Sequence, residues 1–107
     1  MFRDFKWSKT EKEIARKAFE SAYHKECGVI TARLRNMIAR ASEPSDIWRI
    51  HDYLSKQRRE TDQKYDYRYS VLPMVFARLI REGWMTENDL RGLGEEKLGV
   101  IKSFLSL

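Results

Sequence analysis

Apolar residues recur every three to four positions through the first two thirds of the chain, which is the period of a helix with one buried side. The first stripe begins after Ser8 and Glu11, a serine and a glutamate three residues apart that form the capping box of a helix start. It continues for about 30 residues, or nearly 50 Å at 1.5 Å per residue. Residues 42–46 contain Ser, Pro and Asp and predict a break, after which a second helix runs to about Tyr65.

The last third of the chain predicts shorter helices with clear ends. Pro73 falls in the first turn of one helix, where its missing N–H does least harm, and Gly83 predicts a left-handed residue at its end. Residues 86–89 resemble a second helix start, and two glutamates at 95 and 96 open a final helix that ends near Leu105.

These patterns predict an all-α fold, because β-branched clusters are rare and only two prolines and five glycines interrupt the chain. We expect one domain over residues 1–107, with a long two-helix stalk at about 8–68 and a small helical head at about 70–107. Stripes of this length cannot be covered within so short a chain. The sequence therefore predicts an elongated homodimer.

The predicted second helix has two chemically different sides. Its core-facing side carries Ile47, Ile50, Leu54, Thr61 and Tyr65, of which the first three are our candidates for the dimer interface. Its other side carries Trp48, His51, Asp52, Ser55, Arg58, Arg59 and Asp62. A solvent-facing side normally carries Lys and Glu, so a tryptophan among charges indicates a surface that binds another protein.

The net charge of +5 is unevenly distributed along the chain. Residues 1–41 hold ten Lys or Arg against five Asp or Glu, whereas residues 42–107 hold eleven of each. Such a bias favours an acidic protein partner, nucleic acid or a membrane surface. A basic helical nucleic-acid-binding protein is thus one alternative, supported by the aromatic and cationic residues that alternate over 64–69. Because Asp62 and Asp66 would repel phosphate there, we expect no nucleic acid.

Other functional classes lack their residues in this sequence. No apolar run approaches the ~20 residues of a membrane span, no signal-peptide pattern is present, and Cys27 is the single cysteine, so we expect a cytoplasmic protein without membrane insertion. The adjacent His51 and Asp52 lack the further histidine and aspartate that a metal site of this type needs. Neither a phosphate-binding loop nor a serine-nucleophile motif occurs. We expect no catalytic residue, metal or cofactor.

Residues 48–55 read Trp-x-x-His-Asp-Tyr-Leu-Ser, Arg58 follows, and residues 62–72 read Asp-x-Lys-Tyr-Asp-Tyr-Arg-Tyr-Ser-Val-Leu. This pattern resembles the fluorescence recovery protein family of cyanobacteria. Further matching segments lie at 7–8, 13–19, 75–79, 83–84, 92–93 and 96–98. The resemblance covers nearly the whole chain.

The resemblance implies an all-helical homodimer that binds the carboxy-terminal domain of the photoactivated orange carotenoid protein. It implies a non-enzymatic regulator that accelerates red-to-orange reversion and detachment from the phycobilisome, which restores antenna fluorescence. Such a protein would act in the cytoplasm, near thylakoid-associated phycobilisomes. The residues that match the family's functional patch are Trp48, His51, Asp52 and Arg58. Additional candidates for partner contact are Ser55, Arg59, Met74 and Phe76.

Two alternatives stay open on the sequence. Trp48 would instead pack inside the dimer while Asp52 pairs with Lys56 or Arg59 along the helix, a contact worth ~0.3–0.5 kcal/mol. The family pattern Leu-Ile-Phe-Val-Phe also differs from Leu-Pro-Met-Val-Phe at residues 72–76, which removes an aromatic at Met74. A homologue that acts as a scaffold on another partner is therefore the second alternative.

Overall fold

The computed structural model describes residues 5–107, which fold into helices joined by short connections. The helices are α1 (Lys9–Arg40), α2 (Pro44–Lys64), α3 (Leu72–Arg81) and α4 (Glu95–Leu105), with a 3₁₀ turn at Glu87–Leu90 between the last two. The molecule measures 54 × 25 × 22 Å, and its long dimension reflects the 32 residues of α1. The predicted all-α, elongated architecture is confirmed for this part of the chain.

The stalk helices begin where the local sequence signals predicted. Ser8 Oγ accepts a hydrogen bond from the Glu11 N–H at 3.1 Å, and Glu11 Oε1 accepts one from the Ser8 N–H at 3.0 Å, which completes the capping box. At the start of α2, one Asp46 carboxylate oxygen accepts the N–H groups of Ser42 and Glu43, each at 3.0 Å. These two bonds hold the pKa of Asp46 below its ordinary value. The tight turn sends α2 back along α1.

The ends of α3 also follow the sequence signals. Pro73 lies in the first turn, and Gly83 has the positive φ of 87° that the prediction required. The Gly83 N–H donates to Ile80 O at 3.0 Å and the Trp84 N–H donates to Leu79 O at 2.9 Å, which together form a Schellman motif. The predicted helix start at residues 86–89 opens a 3₁₀ turn of four residues, and α4 itself begins at Glu95.

The hydrophobic core lies where α1 meets the head. Ala15, Ala18 and Ala22 of α1 are buried, and their small side chains let the head approach the helix closely. The core residues of the head are Leu72, Val75, Phe76, Ala77, Leu79, Met85, Leu90, Leu93 and Ile101. Gly92, with a φ of 105°, is so close to α1 that a Cβ atom would lie 2.6 Å from Ile14 Cδ1. The first half of α1 is therefore part of the core of the head.

A tyrosine segment connects α2 to the head and lies against α1. Tyr65 and Tyr67 place their rings edge-on to Phe19, with ring centroids 5.4 and 4.8 Å away. Between the tyrosines, Asp66 and Arg68 form an ion pair of 2.6 Å at the surface. Because tyrosines and charged residues alternate along this segment, the rings lie against α1 and the charged groups face water. An extended segment with one buried side has this arrangement.

The outer half of the hairpin remains uncovered in a single chain. No residue from 27 to 60 is buried, and Ile38, Ile47 and Trp48 are 56%, 59% and 65% exposed. Of the side of α2 that was expected to face a core, Thr61 is buried, but Ile47 and Leu54 are exposed. Two helices beyond the head have only each other to pack against, so each covers one side of its neighbour. The prediction that Ile47, Ile50 and Leu54 face a second subunit stays a prediction.

A buried ion pair ties α4 to the start of α1. Glu11 Oε2 accepts the Gly94 N–H at 2.7 Å and lies 3.1 Å from Lys97 Nζ, which also donates to Lys6 O at 2.8 Å. Burial alone would raise the pKa of Glu11, but the hydrogen bonds from Ser8, Gly94 and Lys97 outweigh it and lower the pKa to about 2. The carboxylate thus stays charged when folded.

We expect Glu11→Gln to lower the free energy of unfolding at pH 7 by about 2 kcal/mol or more, because it leaves the Lys97 ammonium buried without its charge partner. Since the pKa of Glu11 is about 2 when folded and 4.5 when unfolded, wild-type stability should fall as the pH drops from about 4.5 towards 2. Denaturant unfolding across this pH range measures both effects. In the variant this pH-dependent loss should shrink, while exposed Glu13→Gln should change stability by less than about 0.5 kcal/mol. Equal losses in both variants would contradict the assignment.

Candidate functional site

The side of α2 that was predicted to bind a partner is accessible in the structure. Six of its side chains are exposed and Ser55 is half-buried. Trp48 is 65% exposed, which is unusual for a large aromatic ring in a well-formed helix. Because helix α2 is continuous from Pro44 to Lys64, these side chains are held on one rigid element. The sequence-predicted residues Trp48, His51, Asp52 and Arg58 are brought together on this α2 face.

The ionisable side chains on the α2 face form two local pairs. His51 Nδ1 lies 3.5 Å from Asp52 Oδ1, and Arg58 Nε donates to Asp62 Oδ2 at 2.9 Å. The hydrogen bond and charge of Asp62 raise the pKa of Arg58 above its ordinary value. Within residues 5–107, Asp52 forms no ion pair with Lys56 or Arg59, in contrast to the structural alternative considered for it. All four paired side chains are at least 62% exposed, so they are available to a partner and add little stability.

The sequence pattern missed a contribution from α1 to this surface. Tyr23 is 42% exposed and lies close enough to Arg58 and Asp62 for both charges to affect its phenol. The pKa of Tyr23 is raised, chiefly by its hydrogen bond with Cys27. Tyr23 falls on the apolar stripe of α1, and no local pattern distinguishes a tyrosine at the edge of a stripe from one inside it. Only the packing of α2 against α1 identifies it as a neighbour of the α2 face.

Phe76 was wrongly expected as a candidate for partner contact. It is completely buried, on the side of α3 that faces the core together with Leu72 and Leu79. Met74 points the other way and is 48% exposed. It lines a groove of about 710 Å³ between α3 and the ends of α2 and α4, next to Val71, Arg81 and Leu107. Of these two residues of the head, Met74 is therefore accessible and Phe76 is not.

A buried charge network fixes the end of α2 relative to the rest of the molecule. Lys64 is 7% exposed and its ammonium donates to Glu26 of α1 and to Glu82 after α3, each at 2.6 Å. Glu26 also accepts the Tyr65 hydroxyl at 2.9 Å, and Glu82 accepts Arg78 Nε at 2.9 Å. These contacts set the direction in which α2 leaves the head and thereby where the α2 face is presented.

The site has few means for covalent chemistry. Among the described residues, no group of three His, Cys, Asp or Glu side chains could hold a metal ion. His51 and Asp52 are open to water and are not directed at a nucleophile on the α2 face. Over the same part of the chain, none of the helices is both long and apolar enough to span a membrane. The arrangement of an exposed indole beside fixed charges is suited to binding.

Comparison with known proteins identifies the family of the chain. Residues 7–105 match the family described as photoprotection regulator fluorescence recovery protein. The chain is 36% identical over 101 residues to the fluorescence recovery protein of Synechocystis sp. PCC 6803. The aligned region covers 94% of this chain and 93% of that protein. These relatives are named as regulators and not as enzymes.

Two solved structures have the same fold. The fluorescence recovery protein of Fremyella diplosiphon is 44% identical and superimposes with a TM-score of 0.88 over 95% of this chain and all of that chain. The Synechocystis protein is 35% identical and gives the same TM-score and the same coverage. The match of sequence and fold runs through both the stalk and the head. The chain therefore belongs to the fluorescence recovery protein family of photoprotection regulators.

Proposed function

We propose that this protein binds the carboxy-terminal domain of the photoactivated orange carotenoid protein. By doing so it accelerates the return of that protein from the red to the orange form and its detachment from the phycobilisome, which restores antenna fluorescence. The protein acts without a cofactor and without covalent chemistry, in the cytoplasm beside the antenna. Family membership supports the regulatory role, and the α2 face supports the mode of action.

The observation that carries this proposal is the exposure of Trp48 among ordered charges. A side chain with 65% of its surface in water adds little to the stability of the isolated chain, yet tryptophan is among the residue types most enriched at interface hot spots. The pair Arg58–Asp62 holds its guanidinium in a defined position, so little side-chain entropy is lost when a partner binds. An indole flanked by positioned hydrogen-bond donors and acceptors has the composition of an interface hot spot.

Binding can speed the reversion without any chemical step on the regulator. If the α2 face holds the carboxy-terminal domain while the other domain returns, re-docking occurs at high effective concentration and in a restricted orientation. The rigid α2 helix, positioned by the buried Lys64, would supply the fixed geometry. The regulator then contributes binding free energy to the re-docking step.

Dimerisation accounts for the uncovered outer half of the hairpin. Ile47 and Leu54 of α2 are exposed, as are Val29 and Ile38 of α1, and Ile50 is half-buried. Apolar side chains on both helices of one hairpin favour a second copy as the covering partner, because a two-fold interface uses the same patch twice. A dimer would also present two α2 faces. We assign Ile47, Ile50 and Leu54 to this interface.

We expect Ile47→Glu to shift the protein from dimer to monomer, because two carboxylates would be brought into an apolar interface without charge partners. Sedimentation velocity or light scattering at micromolar concentration measures the shift. Lys56→Glu is the matched control, since it also places a carboxylate on α2 but outside the apolar patch, and it should remain dimeric. A monomeric wild-type protein, or a variant that stays fully dimeric, would contradict the interface.

We expect Asp52→Leu to separate recognition from stability. Asp52 is 82% exposed at its side chain, so thermal unfolding should change by less than about 0.5 kcal/mol. The rate at which the photoconverted orange carotenoid protein recovers in the dark, at subsaturating regulator, should fall about tenfold or more if Asp52 contacts the partner. Glu60→Leu, another exposed carboxylate of α2 outside this face, should leave recovery unchanged. A large loss of stability with intact recovery would make Asp52 a structural residue.

We expect Trp48→Ala to raise the half-saturating concentration about thirtyfold, which corresponds to a hot spot of ~2 kcal/mol. Arg58→Lys keeps the positive charge but loses the planar donor pair, so it should also weaken binding, whereas Arg49→Lys should not. A titration of the dark-recovery rate separates affinity from the maximal rate. Both variants should regain most of the rate at saturation. Tight binding without recovery would mean that these side chains act on the barrier, and the holding mechanism would have to be abandoned.

A further inference from the structure

The outward surface of α1 is more basic than the sequence count suggests. Glu11 and Glu26, two of its four carboxylates, are buried and neutralised by Lys97 and Lys64, cations that come from other helices. The carboxylates that remain exposed on α1 are Glu13 and Glu20. Against these two, eight cationic side chains of α1 are exposed: Lys9, Lys12, Arg16, Lys17, Lys25, Arg33, Arg35 and Arg40. Folding thus concentrates positive charge on one helix surface.

Four of these cations form a basic ridge near the start of α1, composed of Lys9, Lys12, Arg16 and Lys17. The ridge lines a shallow groove of about 670 Å³ together with Glu13, Glu20, Ser21 and Tyr69. The groove is open to water along its length and lies apart from the groove that contains Met74.

Two cations of the ridge are held in place by the tyrosine segment. The Arg16 guanidinium lies 3.8 Å from the centre of the Tyr67 ring, and Lys12 Nζ lies 5.6 Å from that of Tyr69. Arg16 also approaches Glu20 at 3.9 Å. Within residues 5–107, Lys9 and Lys17 form no ion pair. The ridge therefore combines two positioned charges with two that are available for an incoming anion.

The ridge lies far from the Trp48 end of the α2 face. Met37 of α1 lies beside Ile50 of α2 in a depression near the outer end of the hairpin. It follows Lys17 by about 20 residues, or roughly 30 Å along α1. A molecule that contacts Trp48 and its neighbours would not reach the ridge with the same small epitope. The ridge is thus a separate surface.

From this charge distribution we infer that the basic ridge docks an acidic polypeptide segment of a protein partner. The two carboxylates in the groove would repel the closely spaced phosphates of a nucleic acid or the headgroups of an anionic bilayer. A peptide can space its own carboxylates to meet the lysines and avoid Glu13 and Glu20. Tyr69 offers a ring and the groove offers the lysine stems for the apolar parts of such a peptide.

Docking of this kind speeds encounter and restricts the orientation of the partner. Exposed charges on one surface attract an acidic partner over about a Debye length, which is ~8 Å at physiological salt. A partner that reaches both the ridge and the α2 face would be held at two points, so that the second contact forms at a high effective concentration. The ridge binds acidic peptide whether or not the α2 face is occupied.

The test compares two triple variants with the same loss of charge. In the ridge variant, Lys9→Gln, Lys12→Gln and Lys17→Gln are combined, and in the distal variant, Lys25→Gln, Arg33→Gln and Arg35→Gln are combined. Arg16 is left intact because it packs on Tyr67. All six replaced side chains are exposed, and thermal unfolding by circular dichroism verifies that both variants fold. The single variants Lys17→Gln in the ridge and Lys25→Gln in the distal set provide the same comparison if a triple variant is unstable.

The probes are a fluorescent 20-residue poly-glutamate peptide, a single-stranded 20-nucleotide DNA and vesicles of phosphatidylcholine with phosphatidylserine. Anisotropy or co-sedimentation at 50 and 200 mM salt should show that wild-type protein binds the peptide and does so less tightly as salt rises. The ridge variant should bind it about tenfold more weakly, and the distal variant less than about twofold. Equal weakening by the two variants would reduce the effect to net charge and overturn the inference. Tighter binding of DNA or vesicles than of the peptide would overturn it in favour of a phosphate-binding surface.

Discussion

The ammonium of Lys64, buried between two carboxylates, is the interaction on which the arrangement of the helices depends. It comes from the last turn of α2 and joins Glu26 of α1 to Glu82 at the end of α3 with two contacts of 2.6 Å. Burial by itself would raise the pKa of Glu82, but hydrogen bonds from Lys64 and Arg78 lower it, so the group remains charged. A buried charge without partners costs several kcal/mol, so helices that share this network cannot separate independently. The stalk is thereby fixed to the head where α2 ends.

The same constraint explains why the two ends of the molecule differ. Near Lys64, small alanines of α1 and the apolar side of α3 form a dry core, and the tyrosine segment seals its edge. Beyond residue 27 on α1 the hairpin has no third element, and its apolar side chains stay in contact with water. The molecule thus has a well-packed end near Lys64 and an outer end with exposed apolar side chains. Surfaces for assembly and recognition can lie on the outer half because the fold does not require those side chains for its own core.

Prediction from the sequence succeeded where the determinants are local. The capping box at Ser8, the first-turn position of Pro73 and the left-handed Gly83 each depend on residues within a few positions, and all three were confirmed. The side of α2 that carries Trp48 follows from helical geometry alone, so its exposed members were found without the fold. Phe76 was misassigned even though the spacing of Leu72, Val75, Phe76 and Leu79 places it on the apolar side of α3, with Met74, Arg78 and Arg81 on the other side. The period of the helix thus already carried the signal.

The sequence by itself determined the helices, their ends, the family and the residues that share the α2 face, because these depend on short-range spacing and on residue type. The tertiary structure alone decided which charges are buried. Glu11 and Lys97 are 86 residues apart and Glu26 and Lys64 are 38 apart, so no periodicity connects them. It likewise decided that Arg58 of α2 is near enough to Tyr23 of α1 for its charge to act on the phenol, and that two of the four carboxylates of α1 are buried away from its exposed cations. Burial and pairing are properties of contacts between distant segments, and only the folded chain brings those segments together.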